Sequence, residues 1–281
     1  MKAPGRWFLS AAVLALTVTG AKAQDLLEET KESGSISVGI ANEAPYGYTS
    51  PEGELTGEAP EIAKHILGQM GIEDVEAVIT EFGSLIPGLK AGRFDMVAAG
   101  MFVTPVRCEQ VAFSEPTYGI GQALLVKEGN PAGVQTYEDI KANPDSTLAV
   151  MGGAIERTYA RDAGVPDDQV MIVPDTAAGT ASVQAGRADA FALTSLSIRR
   201  LAEGAEGLEM ADPFGEVAGT DVTGHGAFAF RPEDEAFLQE FNKHLAEFIG
   251  SEEHLKLVEP FGFTKDELPT KTAEELCAQP G

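Results

Sequence analysis

The stretch that decides the fold runs from Ala98 to Tyr118 and reads AAGMFVTPVRCEQVAFSEPTY. Its first residues read as the end of an apolar strand. Thr104-Pro105 then predicts a helix start, since Thr is a favourable N-cap and Pro is accepted at the first helical position. Arg107 therefore falls in the first helical turn, where backbone N–H groups and a planar guanidinium together favour a carboxylate.

Two plainer interpretations of this stretch stay open. A single arginine such as Arg107 usually forms a surface ion pair, and an aromatic such as Phe102, just before the turn, usually packs in the interior. The surrounding sequence has to decide between these roles and a ligand site.

Apolar strands alternate with amphipathic helices on both sides of this stretch, a pattern typical of α/β proteins with mostly parallel sheets. The predicted strands are 35–40, 75–79, 95–99, 147–151 and 170–173. The predicted helices are 57–70, 84–91, 176–185, 233–248 and 252–258. A chain of 281 residues is long enough for two such units, so we predict an α/β fold with two lobes.

An internal repeat supports two similar lobes. The segment LKAGRFDMVA at 89–98 is echoed by VQAGRADAFA at 183–192. Both read as a helix, a glycine stop, a charged turn and a strand. Two separate uses of one favourable helix-to-strand turn would explain the shared glycine. They explain the similarity of the two complete segments less well.

Two short strands flanked by glycine, 121–127 and 225–230, are the predicted crossings between the lobes, because such segments absorb backbone rotation. The first lobe is then discontinuous and comprises residues 24–127 and 223–281. The second lobe comprises residues 128–222. This arrangement predicts a cleft that opens and closes about a two-strand hinge.

Aromatic residues follow the predicted strands of the first lobe. Tyr46 lies after the first strand, Phe82 after the second and Phe102 at the end of the third. Carboxyl ends of parallel strands meet at one edge of a sheet, so the three rings can surround a delocalised cation, with Arg107 on its carboxylate and Glu43 on its N–H. Each ring can instead be core, and Glu43 can be a solvated loop residue.

Residues 100–118 resemble the first-lobe signature of periplasmic solute-binding proteins of the polar amino-acid ABC transporter family (family 3), and the likeness extends over nearly the whole chain after the leader. The matching segments are Thr104-Pro105-Val106-Arg107 and Ala112-Phe113-Ser114-Glu115-Pro116, with Tyr118 one place later than usual. The resemblance implies a two-lobe, type II (Venus-flytrap) fold. It also implies a binding protein rather than an enzyme, a membrane permease as partner, and a ligand carboxylate on Arg107.

One departure from the family pattern concerns the ligand. Members that bind α-amino acids usually have Ser or Thr where this chain has Phe102, and an aromatic ring cannot accept a proton from an α-ammonium group. The set Glu43, Tyr46, Phe82, Phe102 and Arg107 is similar to that of ectoine- and hydroxyectoine-binding proteins. Their ligand is a compact cyclic amidinium carboxylate.

The second lobe contributes further candidates by the same resemblance. In this family, N–H groups of the glycine turn before a helix grip the ligand carboxylate, which here points to Gly153 through Ile155. Asp175 follows the strand 170–173, and an Asp in this region holds the ammonium in amino-acid binders. Asp175 is also well placed simply to cap the next helix.

The N-terminus predicts export. Lys2 and Arg6 precede an apolar run, and Ala21-Lys22-Ala23 is a cleavage signal, so we predict a signal peptide over 1–23 and a periplasmic protein. Its removal would change the net charge from −24 to −27, because 1–23 holds three cations and no acid. Such a surface disfavours nucleic acid and anionic lipid as partners, and we expect a monomer.

Cys108 and Cys277 are the two cysteines of the chain, and in an exported protein they are a disulfide candidate, although two unpaired thiols remain possible. Neither they nor the four scattered histidines have metal-ligand spacing, so no metal or cofactor is predicted.

Three other functions remain open at this stage. The ligand can be an ordinary polar amino acid. The protein can be a cyclohexadienyl dehydratase-like enzyme on the same fold, with Glu43 as the general acid. It can also pass its ligand to a chemoreceptor rather than to a permease.

Overall fold

Two β-sheets, each flanked by helices, form the two lobes. The computed structural model describes residues 25–279, so the predicted signal peptide, 1–23, lies outside the described residues. The first-lobe elements that precede the second sheet are α1 Leu26–Ser33, β1 Ser35–Ile40, β2 Tyr48–Thr49, β3 Leu55–Thr56, α2 Glu58–Gln69, β4 Asp74–Ile79, α3 Leu85–Lys90, β5 Met96–Phe102, α4 Pro105–Cys108, β6 Ala112–Phe113 and β7 Tyr118–Ile120.

The remaining elements follow in chain order. Those of the second lobe are β8 Gln122–Lys127, α5 Tyr137–Ala142, β9 Leu148–Met151, α6 Glu156–Ala163, β10 Val170–Val173, α7 Thr176–Gln184, β11 Ala190–Thr194, α8 Ser195–Gly204 and β12 Leu208–Met210. A hairpin, β13 Glu216–Val217 and β14 Thr220–Asp221, comes next. The chain then returns to the first lobe with β15 Gly224–Phe230, α9 Glu235–Phe248, α10 Glu252–Val258 and α11 Ala273–Cys277.

The two sheets share one topology. The first has the order β4-β1-β5-β15-β6, in which β4, β1 and β5 are parallel and β15 is antiparallel to β5. The second has the order β10-β9-β11-β8-β12, in which β10, β9 and β11 are parallel and β8 is antiparallel to β11. Three parallel strands therefore run beside one antiparallel strand in each lobe.

The repeated sequence performs the same task in both lobes. The Asp95 carboxylate accepts the backbone N–H of Ser37, in the neighbouring strand β1, at 3.0 Å. In the second lobe the Asp189 carboxylate accepts the N–H of Thr147 at 2.8 Å. The glycine stops also match, since Gly92 and Gly186 have φ of 66° and 68°. The aspartate of each repeat thus ties the start of β5 or β11 to the strand beside it.

The crossings between the lobes lie elsewhere than the sequence predicts. β8 pairs with β11 and β12 inside the second sheet, so the chain leaves the first sheet at Gly121 and not after residue 127. β15 is a central strand of the first sheet, so the return crossing precedes Gly224. A bridge between Gln122 and Phe214 holds the two crossings side by side. A strand beside glycine has the same local sequence in either setting, and only its pairing partners distinguish them.

The C-terminal segment is fastened to the first lobe. Cys108 and Cys277 form a disulfide that joins α11 to α4, with Cα atoms 5.7 Å apart. Ala273 N–H also donates to the Glu115 carboxylate at 3.1 Å. Among residues 25–279, no helix combines the length and apolar character needed to cross a membrane.

Candidate functional site

The helix start at Thr104 has the predicted geometry. Thr104 is the N-cap of α4, its hydroxyl accepts the N–H of Arg107, and Pro105 is the first helical residue. The Arg107 side chain turns into the interior and is 9% exposed. Its Nη1 donates to the Phe102 carbonyl at 2.7 Å, and its Nη2 donates to the Gly153 carbonyl of the second lobe at 3.1 Å.

Arg107 has no ion-pair partner within 4.0 Å among residues 25–279. Burial lowers its pKa, and Glu156 opposes this effect. A guanidinium has five N–H donors, and the two bonds to carbonyls leave donors without an acceptor in the described part of the chain. A buried cation of this kind is suited to receive a carboxylate from a ligand.

The structure brings six of the predicted residues together around one cleft. Glu43, Tyr46, Phe82, Phe102, Arg107 and Ile155 line it. The centre of the Phe82 ring lies 5.4 Å from the Arg107 guanidinium carbon. We call Tyr46, Phe82 and Phe102 the aromatic cage. The rings thus lie at the cleft, although each is also largely buried.

Glycines make room for these rings. A Cβ on Gly100 would lie 2.6 Å from the Tyr46 ring, and one on Gly224 would overlap the Phe102 ring. Tyr118 supports the cage from behind, since it stacks on Tyr46 with ring centres 5.0 Å apart. The Tyr46 and Phe102 rings can therefore occupy these positions because the neighbouring strand residues are glycines, which have no side chain.

Two buried carboxyl groups line the cleft. Burial raises the pKa of Glu43 to about 7, and a hydrogen bond from Ser197 at 2.7 Å opposes the rise. Burial also raises the pKa of Glu156 to about 8, and Arg107 opposes it. The Gln122 amide, oriented with its NH2 toward Glu156, donates to this carboxyl at 3.1 Å. A ligand cation between these groups would favour their ionised forms.

The lobes meet around the cleft. Tyr46 of the first lobe donates its hydroxyl proton to Thr194 of the second at 2.8 Å. Gly83 and Gly152 approach so closely that a Cβ on Gly83 would lie 2.9 Å from the Gly152 carbonyl oxygen. Together with the bond from Arg107 to Gly153, these contacts define a closed conformation.

The second lobe departs from the sequence-based expectation at one position. Asp175 lies outside the cleft, is exposed, and accepts the N–H of Ala178 at 2.7 Å as the N-cap of α7. Its local capping role determines where its side chain points. The Gly153 carbonyl accepts from Arg107, and the contact of its N–H with a ligand carboxylate stays a prediction. Of the predicted turn, Ile155 lines the cleft.

Two polar residues that line the cleft, Glu156 and Thr194, were not predicted from the sequence. Glu156 is the first residue of α6, directly after the glycine turn, and Thr194 ends β11. The internal repeat contained a signal for Thr194, because the matched strands β5 and β11 both end at the cleft. Across residues 25–279, no group of three His, Cys, Asp or Glu side chains is arranged to hold a metal ion.

Comparison with known sequences gives the family. The model of the bacterial extracellular solute-binding proteins, family 3, matches residues 36–264. A probable amino-acid ABC transporter periplasmic-binding protein of Sinorhizobium fredii is 38% identical over 282 residues, with 98% of this chain and 93% of the relative covered. The arginine-binding extracellular protein ArtP of Bacillus subtilis is 26% identical over 265 residues, with 90% and 96% covered.

Solved structures give the same fold. The crystal structure of EhuB in complex with hydroxyectoine is 39% identical, has a TM-score of 0.84, and covers 91% of this chain and 99% of its own. The ancestral amino acid-binding protein AncCDT-1, a precursor of cyclohexadienyl dehydratase, is 29% identical with a TM-score of 0.74 and coverage of 84% and 98%. These similarities confirm the two-lobe, type II fold.

The matched family model and the relatives are named as binding proteins, which supports a binding protein rather than an enzyme. The chain therefore belongs to the bacterial extracellular solute-binding proteins, family 3, and is the solute-binding component of an ABC importer.

Proposed function

We propose that this protein binds ectoine or hydroxyectoine in the closed cleft, in the periplasm, and delivers it to the permease of an ABC importer. The ligand is a small ring that carries a delocalised amidinium cation and one carboxylate. Closure is stabilised only by contacts that the open form lacks, so a ligand that touches both lobes favours the closed form.

The observation that carries the proposal is the setting of Arg107. Its buried guanidinium lacks an ion-pair partner among residues 25–279 and faces the cleft that contains the aromatic cage. A carboxylate on Arg107 would supply the missing counter-charge. The ring of the same ligand would then lie among Tyr46, Phe82 and Phe102.

The cage and the acids suit the cationic part of such a ligand. Aromatic ring faces attract delocalised cations, and desolvation strengthens this attraction to about 2 kcal/mol or more. Glu43 and Glu156 add negative charge to the same cleft. The similarity to EhuB, which was crystallised with hydroxyectoine, supports the same ligand class from independent evidence.

A polar amino acid is the second candidate. Several relatives are named for binding arginine, cystine or glutamine, and two buried carboxyl groups in the cleft also suit an amino-acid cation. Phe102 favours the first candidate, because it offers a ring face and no acceptor for an α-ammonium group.

Calorimetric titration of the purified protein separates the two candidates. We expect saturable binding of ectoine or hydroxyectoine and none of arginine, glutamine or cystine at the same concentrations. Binding of an amino acid without binding of either cyclic solute would reject the proposal.

Replacement of Arg107 tests the carboxylate site. Arg107→Ala should weaken binding at least 100-fold, because the buried carboxylate would lose its charged donor, a change of about 3 kcal/mol or more. Arg93→Ala is the matched control, since Arg93 is exposed and lies outside the cleft. Equal affinities of the two variants would contradict the assignment.

A further inference from the structure

The first turn of α8 reaches the ligand cleft from the second lobe. Its N-cap, Thr194, lines the cleft and accepts the hydroxyl proton of Tyr46 at 2.8 Å. The same Thr194 hydroxyl accepts the N–H of Ser197 at 3.4 Å. This helix start therefore contacts one wall of the aromatic cage directly.

Ser197 of the same turn contacts the acid of the first lobe. It has no exposed surface, and its Oγ lies 2.7 Å from Glu43 Oε1 and 3.2 Å from the Ala44 carbonyl oxygen. A hydroxyl has one proton to donate and two lone pairs. It can donate to ionised Glu43, or it can accept from protonated Glu43 while it donates to Ala44. One side chain thus satisfies both forms of the carboxyl group.

We propose that Ser197 is a positioning residue, which holds the Glu43 carboxylate toward the ligand cation from the opposite lobe. This inference rests on the proposed function, because Glu43 acts in it as the partner of the amidinium group. Ser197 touches Glu43 and not the cleft itself, so its effect on the ligand passes through Glu43.

The titratable and charged groups around Glu43 come from several elements. They are Tyr46 in the same loop, Glu58 in α2, Tyr118 in β7, Glu156 in α6 and Arg107 in α4. Burial raises the pKa of both tyrosines well above the usual range, so they stay neutral. The pKa values of Glu58 and Glu156 rise to about 8, and that of Glu43 to about 7.

Removal of the Ser197 hydroxyl should therefore have a pH-dependent effect. Ser197→Ala leaves ionised Glu43 without its hydrogen-bond donor, so its pKa should rise further. At pH 7 a smaller fraction of Glu43 would then be ionised, and hydroxyectoine should bind about tenfold more weakly. Near pH 9, where Glu43 ionises in either case, the difference should shrink.

Calorimetry with hydroxyectoine between pH 6 and 9 tests this expectation. Ser195→Ala is the control, because Ser195 belongs to the same turn but makes no side-chain hydrogen bond to the cage among the described residues. Thermal unfolding verifies that both variants fold. An equal loss at every pH would assign Ser197 a purely structural role, and unchanged affinity would exclude any role. Either result overturns the proposal.

A second readout does not depend on the ligand. Carbon NMR of glutamate-labelled, ligand-free protein reports the titration of Glu43, and Ser197→Ala should raise its midpoint while Ser195→Ala leaves it unchanged. An unaltered midpoint in Ser197→Ala overturns the inference. If the wild-type protein binds neither ectoine nor hydroxyectoine, the proposed function is rejected, and this titration still decides the role of Ser197.

Discussion

Single residues determine the charge balance of the closed cleft. Arg107 brings one buried cation, whereas Glu43 and Glu156 bring two carboxyl groups whose pKa values are raised by burial. A zwitterion adds one charge of each sign and thus supplies a partner to both kinds of group. An uncharged solute would leave the Arg107 guanidinium without an ion-pair partner.

Glu58 provides a residue-scale test of these electrostatics outside the ligand cleft. It is 1% exposed, its Oε1 accepts the Thr117 hydroxyl proton at 2.6 Å, and burial raises its pKa from 4.5 to about 8. The folded protein holds this proton more tightly than the unfolded chain does. The resulting stability is complete below about pH 4.5 and is lost as the pH rises through about 8.

Glu58→Gln should remove this pH dependence, because the amide stays neutral. We expect a melting temperature close to that of the wild type at pH 5 and about 2–8 °C above it at pH 9, measured by calorimetry. Glu52→Gln, at an exposed turn, is the control and should show no such difference. A Glu58→Gln variant with the same offset at both pH values would contradict the argument.

At the scale of single elements, strand ends and helix starts place the site. The Thr104-Pro105 cap could be predicted, because capping depends on a few adjacent residues. The strand-end positions of Tyr46, Phe82 and Phe102 could also be predicted from the α/β pattern. Asp175 could not be assigned in this way, since one local pattern serves both a helix cap and a ligand contact.

Strand β15 offers a test of how elements shape the cage. A Cβ on Gly224 would overlap the Phe102 ring, so Gly224→Ala should displace the ring and weaken ligand binding about tenfold or more. Calorimetry of Gly224→Ala beside Gly204→Ala measures the effect, because a Cβ on Gly204 meets no atom within 4 Å.

A double variant separates misfolding from loss of the cage. Phe102→Leu with Gly224→Ala should relieve the overlap and restore the melting temperature, yet it should still bind weakly, because leucine has no ring face. Wild-type affinity in either Gly224→Ala variant would show that the Phe102 ring does not contact the ligand.

At the scale of the whole molecule, closure assembles the site from two lobes. Thr194, Ser197 and Glu156 reach the first-lobe residues only through the relative placement of the two sheets. The sequence carries no local signal for that placement, which is why these contacts escaped prediction. The crossings between the lobes were not predicted correctly for a related reason. The sheets to which β8 and β15 belong could be assigned only from their pairing partners.

Contact between Gly83 and Gly152 limits how far the lobes close. Gly83→Ala would bring a Cβ to 2.9 Å from the Gly152 carbonyl oxygen, so the lobes should stop short of full closure. We expect weaker hydroxyectoine binding and a larger radius of gyration for the ligand-bound variant in X-ray scattering. Gly68→Ala, where nothing lies within 4 Å of the added Cβ, is the control. Identical ligand-bound radii for the two variants would refute this limit on closure.

A crystal structure of the protein grown with hydroxyectoine would show directly how the cleft binds its ligand. We expect the ligand carboxylate within hydrogen-bond distance of Arg107, the ring among Tyr46, Phe82 and Phe102, and an amidinium N–H on Glu43. A ligand bound elsewhere, or one in this cleft with its carboxylate away from Arg107, would contradict this expectation.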